Sequence, residues 1–224
     1  DGLYPGEYLK EVGQELVNKY GKNWKSLNKE KIVEMVRQVS LDVIMKIIKG
    51  DLLKLGIKMD VYTSERDIIS GNLLNETLNL LEDKNLIYEG ELEPPKGTNS
   101  DNWERRNQLL FKSTDYGDDT DRALKKDDGT WTYFATDMAY HLDKMKRTQG
   151  DLINVLGADH IGYITRINAA VKALSNGTNS IDTKVCSLVN LLDDGKPIKM
   201  SKRSGNFVTL SLSLIHISEP TRPL

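Results

Sequence analysis

The segment that most limits what this chain can fold into runs from Leu152 to Leu192. Leu152–Leu156 is mostly apolar and of the buried-strand type met in parallel sheets. Gly157-Ala158-Asp159-His160 reads as a turn, Ile161–Leu174 carries helical spacing, and Lys184–Leu192 is a second strand. Asn176-Gly177 and Asn179-Ser180 break the helix, and Asp193-Asp194-Gly195 turns the chain after the strand. Strand, helix and strand joined by short loops argue for a parallel α/β unit.

The chain ahead of this unit is mixed. Tyr8, Leu9, Val12, Leu16, Val17 and Tyr20 repeat at helical spacing, with Pro5 in the first turn and Gly21 as the stop. Ser26 or Asn28 can cap a longer helix through Ile32, Val36, Val39, Val43, Ile47 and Leu52, which Gly56 ends. Met59–Glu65 alternates weakly and predicts a short strand or extended segment. A helix from about Asn72 to Lys84 and a strand over Leu86–Leu92 follow, closed by Pro94-Pro95-Lys96-Gly97. Leu109–Lys112 and Arg122–Lys125 read as short strands, and Asp127-Asp128-Gly129 as a hairpin turn. Thr132-Tyr133-Phe134 is β-prone, with a helix over Asp137–Lys146.

Bulk composition sets outer limits. The 224 residues are 38% hydrophobic and 29% charged, a globular balance, and the net charge of −2 supplies no global attraction to nucleic acid. One cysteine, Cys186, excludes an internal disulfide framework and fits a reducing compartment; its apolar neighbours predict a buried structural thiol. No apolar run reaches the length of a membrane span, and no signal peptide is read. The start at Asp1-Gly2, inside an amphipathic pattern, reads as the middle of a longer protein. Leu212–Arg222 resembles a translated sequencing adapter, the alternative being a natural strand followed by a Pro-rich tail, and residues 212–224 are set aside as a non-native tail, His216 included.

Candidate chemistry is confined to a few places. Gly157-Ala158-Asp159-His160 lies at the carboxyl end of a predicted parallel strand, where ligands bind in such sheets. Gly157 permits close backbone approach, and the helix start favours an anion. Asp159 and His160 offer an acceptor and a titratable donor, or else Asp159 caps the helix and His160 packs beneath it. Tyr133 and Asp137, four apart, share a face if Tyr133 begins the helix. A carboxylate beside a phenol suits a guanidinium; the alternative is a capping carboxylate and a core tyrosine. Four aspartates within Asp115–Asp121 could bind a hard cation, but the spacing favours a solvated loop. There is no Gly-x-x-x-x-Gly-Lys loop, dinucleotide fingerprint, metal-ligand spacing or Gly-x-Ser-x-Gly elbow.

Finally, Gly195–Asn206 carries four basic residues within eight positions between two turns, a cationic loop able to hold phosphate oxygens or else, on the basic run alone, a solvated hairpin tip. Its core, Lys199-Met200-Ser201-Lys202-Arg203, resembles the KMSKS signature of class I aminoacyl-tRNA synthetases. From about Tyr4 to Leu210 the chain is similar to the arginyl-tRNA synthetases, most of all the bacterial ones. The matching blocks include Tyr4–Leu9, Asp60–Glu65, Leu110–Asp119, Asp128–His141, Gly157–Tyr163 and Lys199–Leu210.

The resemblance implies an α/β fold, the second half of a class I Rossmann-like nucleotide-binding core over 130–211, preceded by a mixed α+β insertion over 1–129. It implies a ligase that forms arginyl-tRNA from arginine, ATP and tRNA(Arg) through arginyl-adenylate. Lys199, Ser201 and Lys202 would act on the leaving pyrophosphate. Gly157, Asp159, His160 and Met200 would lie at the adenylate, and Tyr133 and Asp137 at the arginine side chain. ATP would bring Mg2+, with no tightly bound cofactor and no protein-held metal. The intact protein is expected as a cytoplasmic monomer, free of membranes. The family's His-x-Gly-His motif is absent here and would lie upstream, with the anticodon-binding domain downstream, so this stretch alone is expected to be inactive. Alternatives are a class I synthetase for another amino acid, or a non-catalytic RNA- or protein-binding remnant of the fold.

Overall fold

A computed structural model of the protein describes residues 6–93, 106–148, 150–190, 192–193, 195–197 and 209–210. They fall into two compact units, Asp1–Val61 with Asn190–Leu224, and Tyr62–Val189.

The first unit is built on a helical hairpin, α1 (Tyr8–Tyr20) and α2 (Lys29–Lys54). Asn28 caps α2, its side chain accepting from the Lys31 amide at 2.9 Å. Gly56 takes φ 75°, and the amides of Gly56 and Ile57 return to the carbonyls of Leu53 and Leu52. Val12 and Leu16 of α1 pack on Val39 of α2, with Val36, Val43 and Ile44 beside them. Leu192–Asp193 (β6) and Lys196–Pro197 (β7) pair antiparallel across a turn in which Gly195 has φ 74°.

Among its described residues the second unit carries two sheets and four α-helices. Met59–Glu65 is not a strand. Ser64 instead caps a six-residue helix, α3 (Glu65–Ser70), accepting from the Asp67 amide. The Ser-x-x-Asp spacing offers the backbone a cap that three β-prone residues do not outweigh. After α4 (Leu73–Asp83), Ile87–Glu91 (β1), Asn107–Phe111 (β2) and Arg122–Ala123 (β3) form an antiparallel sheet. The expected turn at Asp127–Gly129 closes between Lys125 and Trp131.

Helix α5 (Tyr133–Thr148) begins four residues before its predicted start. Thr132, expected in a strand, is its cap: Oγ1 accepts from the Ala135 amide and donates to the Ala123 carbonyl. Ala135, Met138, Ala139, Leu142 and Met145 then form one buried stripe against Leu74 and Leu81, Phe111, Leu124 and the α6 residues Ala170, Val171 and Leu174.

Leu152–Gly157 (β4) and Ile181–Cys186 (β5) pair in parallel, as expected for the unit, with α6 (Ile164–Leu174) between them in sequence. Four details differ. The second strand, predicted over Lys184–Leu192, begins three residues earlier and ends at Cys186, where its register with β4 runs out at Gly157; residues 187–190 have no regular structure. Residues 158–163 form a 3-10 turn before α6, so the helix starts later than Ile161. The β4 strand is covered on one face only: Leu152 and Asn154 are buried, whereas Ile153 and Val155 are 69% and 67% exposed. Their neighbours across the register, Asp182 and Lys184, form an exposed ion pair. Cys186 is likewise exposed, not buried. An apolar run shows strand character but not whether both faces are covered. Among the described residues no helix is long and apolar enough to cross a membrane.

Candidate functional site

Helix α5 mounts the site. Because Thr132 fixes its start, Tyr133, Asp137 and Tyr140 rise along one face at the i, i+4, i+7 spacing. They line a cleft of about 540 Å³ together with Thr63 and Glu65 at the start of α3, and His160 and Tyr163 from the 3-10 turn after β4. The cleft therefore gathers residues from three stretches that are far apart in sequence.

Both signs of charge stand around it: the Lys144 ammonium lies 4.2 Å from the Tyr140 ring centroid and feels the charge of Asp137. Asp137 accepts a 2.5 Å hydrogen bond from the Tyr163 hydroxyl on Oδ2. Among the described residues, neither Asp137 nor Glu65 forms an ion pair with a basic side chain. Burial, then the hydrogen bond to Asp137 and its negative charge, push the Tyr163 phenol well above its usual range, so it stays a donor at neutral pH. The Lys126 ammonium stands 5.3 Å from the Tyr133 ring centroid, and Tyr133 itself is 72% exposed.

Beneath the site, His141 ties α5 to β4. Its Nδ1 lies 2.7 Å from the Asp137 carbonyl and Nε2 3.1 Å from the Asn154 amide nitrogen. A carbonyl can only accept, so Nδ1 carries the proton and Nε2 accepts from Asn154. Burial is the main cause that lowers the His141 pKa, keeping the ring neutral.

The sequence-predicted residues divide into three groups. Tyr133, Asp137 and His160 meet in the cleft. Gly157 and Asp159 adjoin it along the chain without lining it; a Cβ on Gly157 would collide with the Asp159 carboxylate. Neither structural alternative for the Gly157–His160 turn is realised. Asp159 makes no capping bond, and His160 is 57% exposed, 3.5 Å from the Asp159 carboxylate. Lys199, Met200, Ser201 and Lys202 lie outside the described residues.

The aspartate-rich segment is solvated at Asp115 and Asp119, as expected, but not throughout. Asp118 is buried and bonded by Ser113, Arg122 and the Asp119 amide. Burial alone would raise its carboxyl, but those bonds, Arg122 first, hold it well below the usual range. Asp121 accepts from Thr114 and Tyr88. Among the described residues no three His, Cys, Asp or Glu side chains gather as metal ligands.

Of the cleft residues that the sequence alone did not single out, Glu65 and Tyr163 bear most on its chemistry. Glu65 stands at the start of a helix that reads as a strand, and Tyr163 follows a turn whose helix was placed too early. Both lie inside family-like blocks, Asp60–Glu65 and Gly157–Tyr163, which was the available signal.

Comparison with known proteins decides the family. Residues 9–216 match the profile described as tRNA synthetases class I (R), catalytic domain. The chain belongs to this family. It is 54% identical over 209 residues to the arginine–tRNA ligase of Ehrlichia chaffeensis, and 52% identical over 210 residues to that of Parvibaculum lavamentivorans. These alignments cover 93% and 94% of the chain but 36% of each relative, so the chain spans about a third of their length. A crystal structure of an arginyl t-RNA synthetase from Campylobacter jejuni superposes with a TM-score of 0.74 at 34% identity, covering 96% of this chain and 42% of that one. The mixed helices and strands are thus those of a class I synthetase catalytic domain. Within that fold the parallel β4–β5 pair and the cleft at its carboxyl end occupy the part where an α/β sheet presents ligands.

Proposed function

We propose that this chain supplies the amino-acid-binding part of an enzyme that joins arginine to tRNA(Arg). The observation that carries the reading is the cleft with two carboxylates, Asp137 and Glu65, neither of them in an ion pair among the described residues, in a chain of the class I arginyl family. A guanidinium answers that charge with five N–H donors and stacks readily on an aromatic ring such as Tyr133.

The reaction has two steps. The arginine carboxylate attacks the α-phosphorus of ATP, forming arginyl-adenylate and expelling pyrophosphate. A terminal ribose hydroxyl of the tRNA then attacks the carbonyl and AMP leaves. Lys199 and Lys202 would stabilise the charge that develops on the pyrophosphate, with Ser201 in support, and Gly157, Asp159, His160 and Met200 would lie around the adenylate. The catalysis is positional and electrostatic, without a covalent enzyme intermediate. Magnesium enters as part of the nucleotide substrate.

The same reading divides the chain at 129/130 into insertion and catalytic core, with 212–224 as a non-native tail, and places the intact protein as a monomer in the cytoplasm. Arginine-dependent exchange of pyrophosphate into ATP, measured on the full-length protein with tRNA present, tests it. Lys202→Ala should abolish exchange while circular dichroism stays unchanged. Full exchange in that variant would overturn the assignment.

A further inference from the structure

Tyr163 is mounted with unusual firmness for a residue that faces a cleft. Its ring meets Phe134 edge-on at 6.5 Å between centroids and 82° between planes, and the Arg166 guanidinium lies 5.0 Å from its centroid. Phe134 in turn lies 6.1 Å from Phe111, which is fully buried and stacks with Tyr116. A row of four aromatic rings thus runs through the core and ends on the Tyr163 hydroxyl. That hydroxyl has one described partner in the cleft, Oδ2 of Asp137.

A carboxylate on a two-torsion side chain can turn its oxygens freely unless one is held. With Oδ2 engaged by a donor anchored in the core, the Asp137 head is fixed, and Oδ1, which accepts no hydrogen bond among the described residues, is left for an incoming donor. We propose that Tyr163 is a positioning residue for the substrate cation, acting through Asp137. By occupying one carboxylate oxygen it directs the guanidinium to the other, and it thereby favours a planar, multi-donor cation over a compact ammonium. This rests on the cleft being the arginine site. The chemistry follows from donor counts: a guanidinium can bond Oδ1 and still reach a second acceptor at Glu65. An ammonium, a single point charge, gains more from a carboxylate free to turn both oxygens toward it.

The test is a pair of variants and their combination in the full-length protein, read by steady-state arginine-dependent pyrophosphate exchange with tRNA present. Tyr163→Phe should raise KM for arginine about tenfold, the scale for losing one hydrogen bond to a charged group, while kcat and KM for ATP stay within about threefold. Its ratio of arginine to lysine kcat/KM should fall by a similar factor. In an Asp137→Asn background the Tyr163→Phe change should have no further effect on KM for arginine, because the two act as one unit. If Asp137→Asn raises KM but Tyr163→Phe does not, the positioning role is overturned and the arginine site stands. If Asp137→Asn leaves KM unchanged, the site itself is wrong and the proposal falls with it. A Tyr163→Phe enzyme that loses kcat and affinity for both substrates alike, with a lowered melting temperature, would show a merely structural tyrosine.

Discussion

Two carboxylates in the same compact unit have opposite fates. Asp118 is buried, and the chain neutralises it with its own Arg122, whose Nη2 and Nε reach it at 2.6 and 2.7 Å, and with Ser113 at 2.6 Å. Asp137 receives one phenol, and neither it nor Glu65, which lines the same cleft, forms an ion pair among the described residues, although the Lys144 ammonium lies near enough to feel the Asp137 charge. A carboxylate that the fold answers internally is part of the scaffold. One that the fold positions without an ion pair is open to a cation from outside the chain, as the proposed arginine site requires. The contrast separates what holds this unit together from what it is proposed to do.

The comparison breaks most visibly if the scaffold pair is cut. Arg122→Leu strands Asp118 as a buried, unpaired charge and should destabilise the unit by about 4 kcal/mol. Replacing both residues by Leu should recover much of that loss. Urea denaturation of the three variants checks both expectations. The cleft should respond the other way round. Asp137→Asn should cost about 3 kcal/mol in kcat/KM for arginine, more than a hundredfold, with an unfolding midpoint close to that of the parent.

Acid sharpens the same contrast on a smaller scale. The folded-state pKa of Asp118 lies below its ordinary value of 3.8. Its contribution to stability is therefore complete above pH 3.8 and is lost as pH falls from there through the folded-state value. His141, whose pKa is lowered from 6.5, adds an earlier limb: its stabilisation is present above pH 6.5 and declines below it. Unfolding free energy measured from pH 7 to pH 3 should fall in these two stages, and Asp118→Asn should remove the lower one. The smallest effect belongs to Glu65, which is exposed. Glu65→Gln should weaken arginine by about 1 kcal/mol, roughly five- to tenfold in KM, with no change in stability.

Sequence carried the frame of this molecule further than its details. The long helix α2 was legible from Asn28 to Gly56 because cap, periodicity and stop agree. The parallel β4–β5 pair was legible because an apolar run, a helix and a second strand follow one another at short intervals. Tyr133 and Asp137 could be joined because helical spacing alone puts i and i+4 on one face. Glu65 could not be added to them, since 72 residues separate it from Asp137 and only tertiary folding closes that gap. Nor could Asp118 be told from Asp115, Asp119 and Asp121, because which of four neighbouring carboxylates is buried depends on where Arg122 and Ser113 come to rest. The exposed Ile153, Val155 and Cys186 teach a related point: residue type announces a strand, while its covering is decided by elements elsewhere.

If the proposed site is right, the cleft carboxylates are kept for a guanidinium. Isothermal titration of the full-length protein, with tRNA bound, against arginine and against lysine addresses it directly, in the parent and in Asp137→Asn. Arginine should bind saturably and lysine far more weakly, and the arginine signal should vanish in the variant at unchanged melting temperature. Arginine binding that survives Asp137→Asn undiminished would contradict the proposed site.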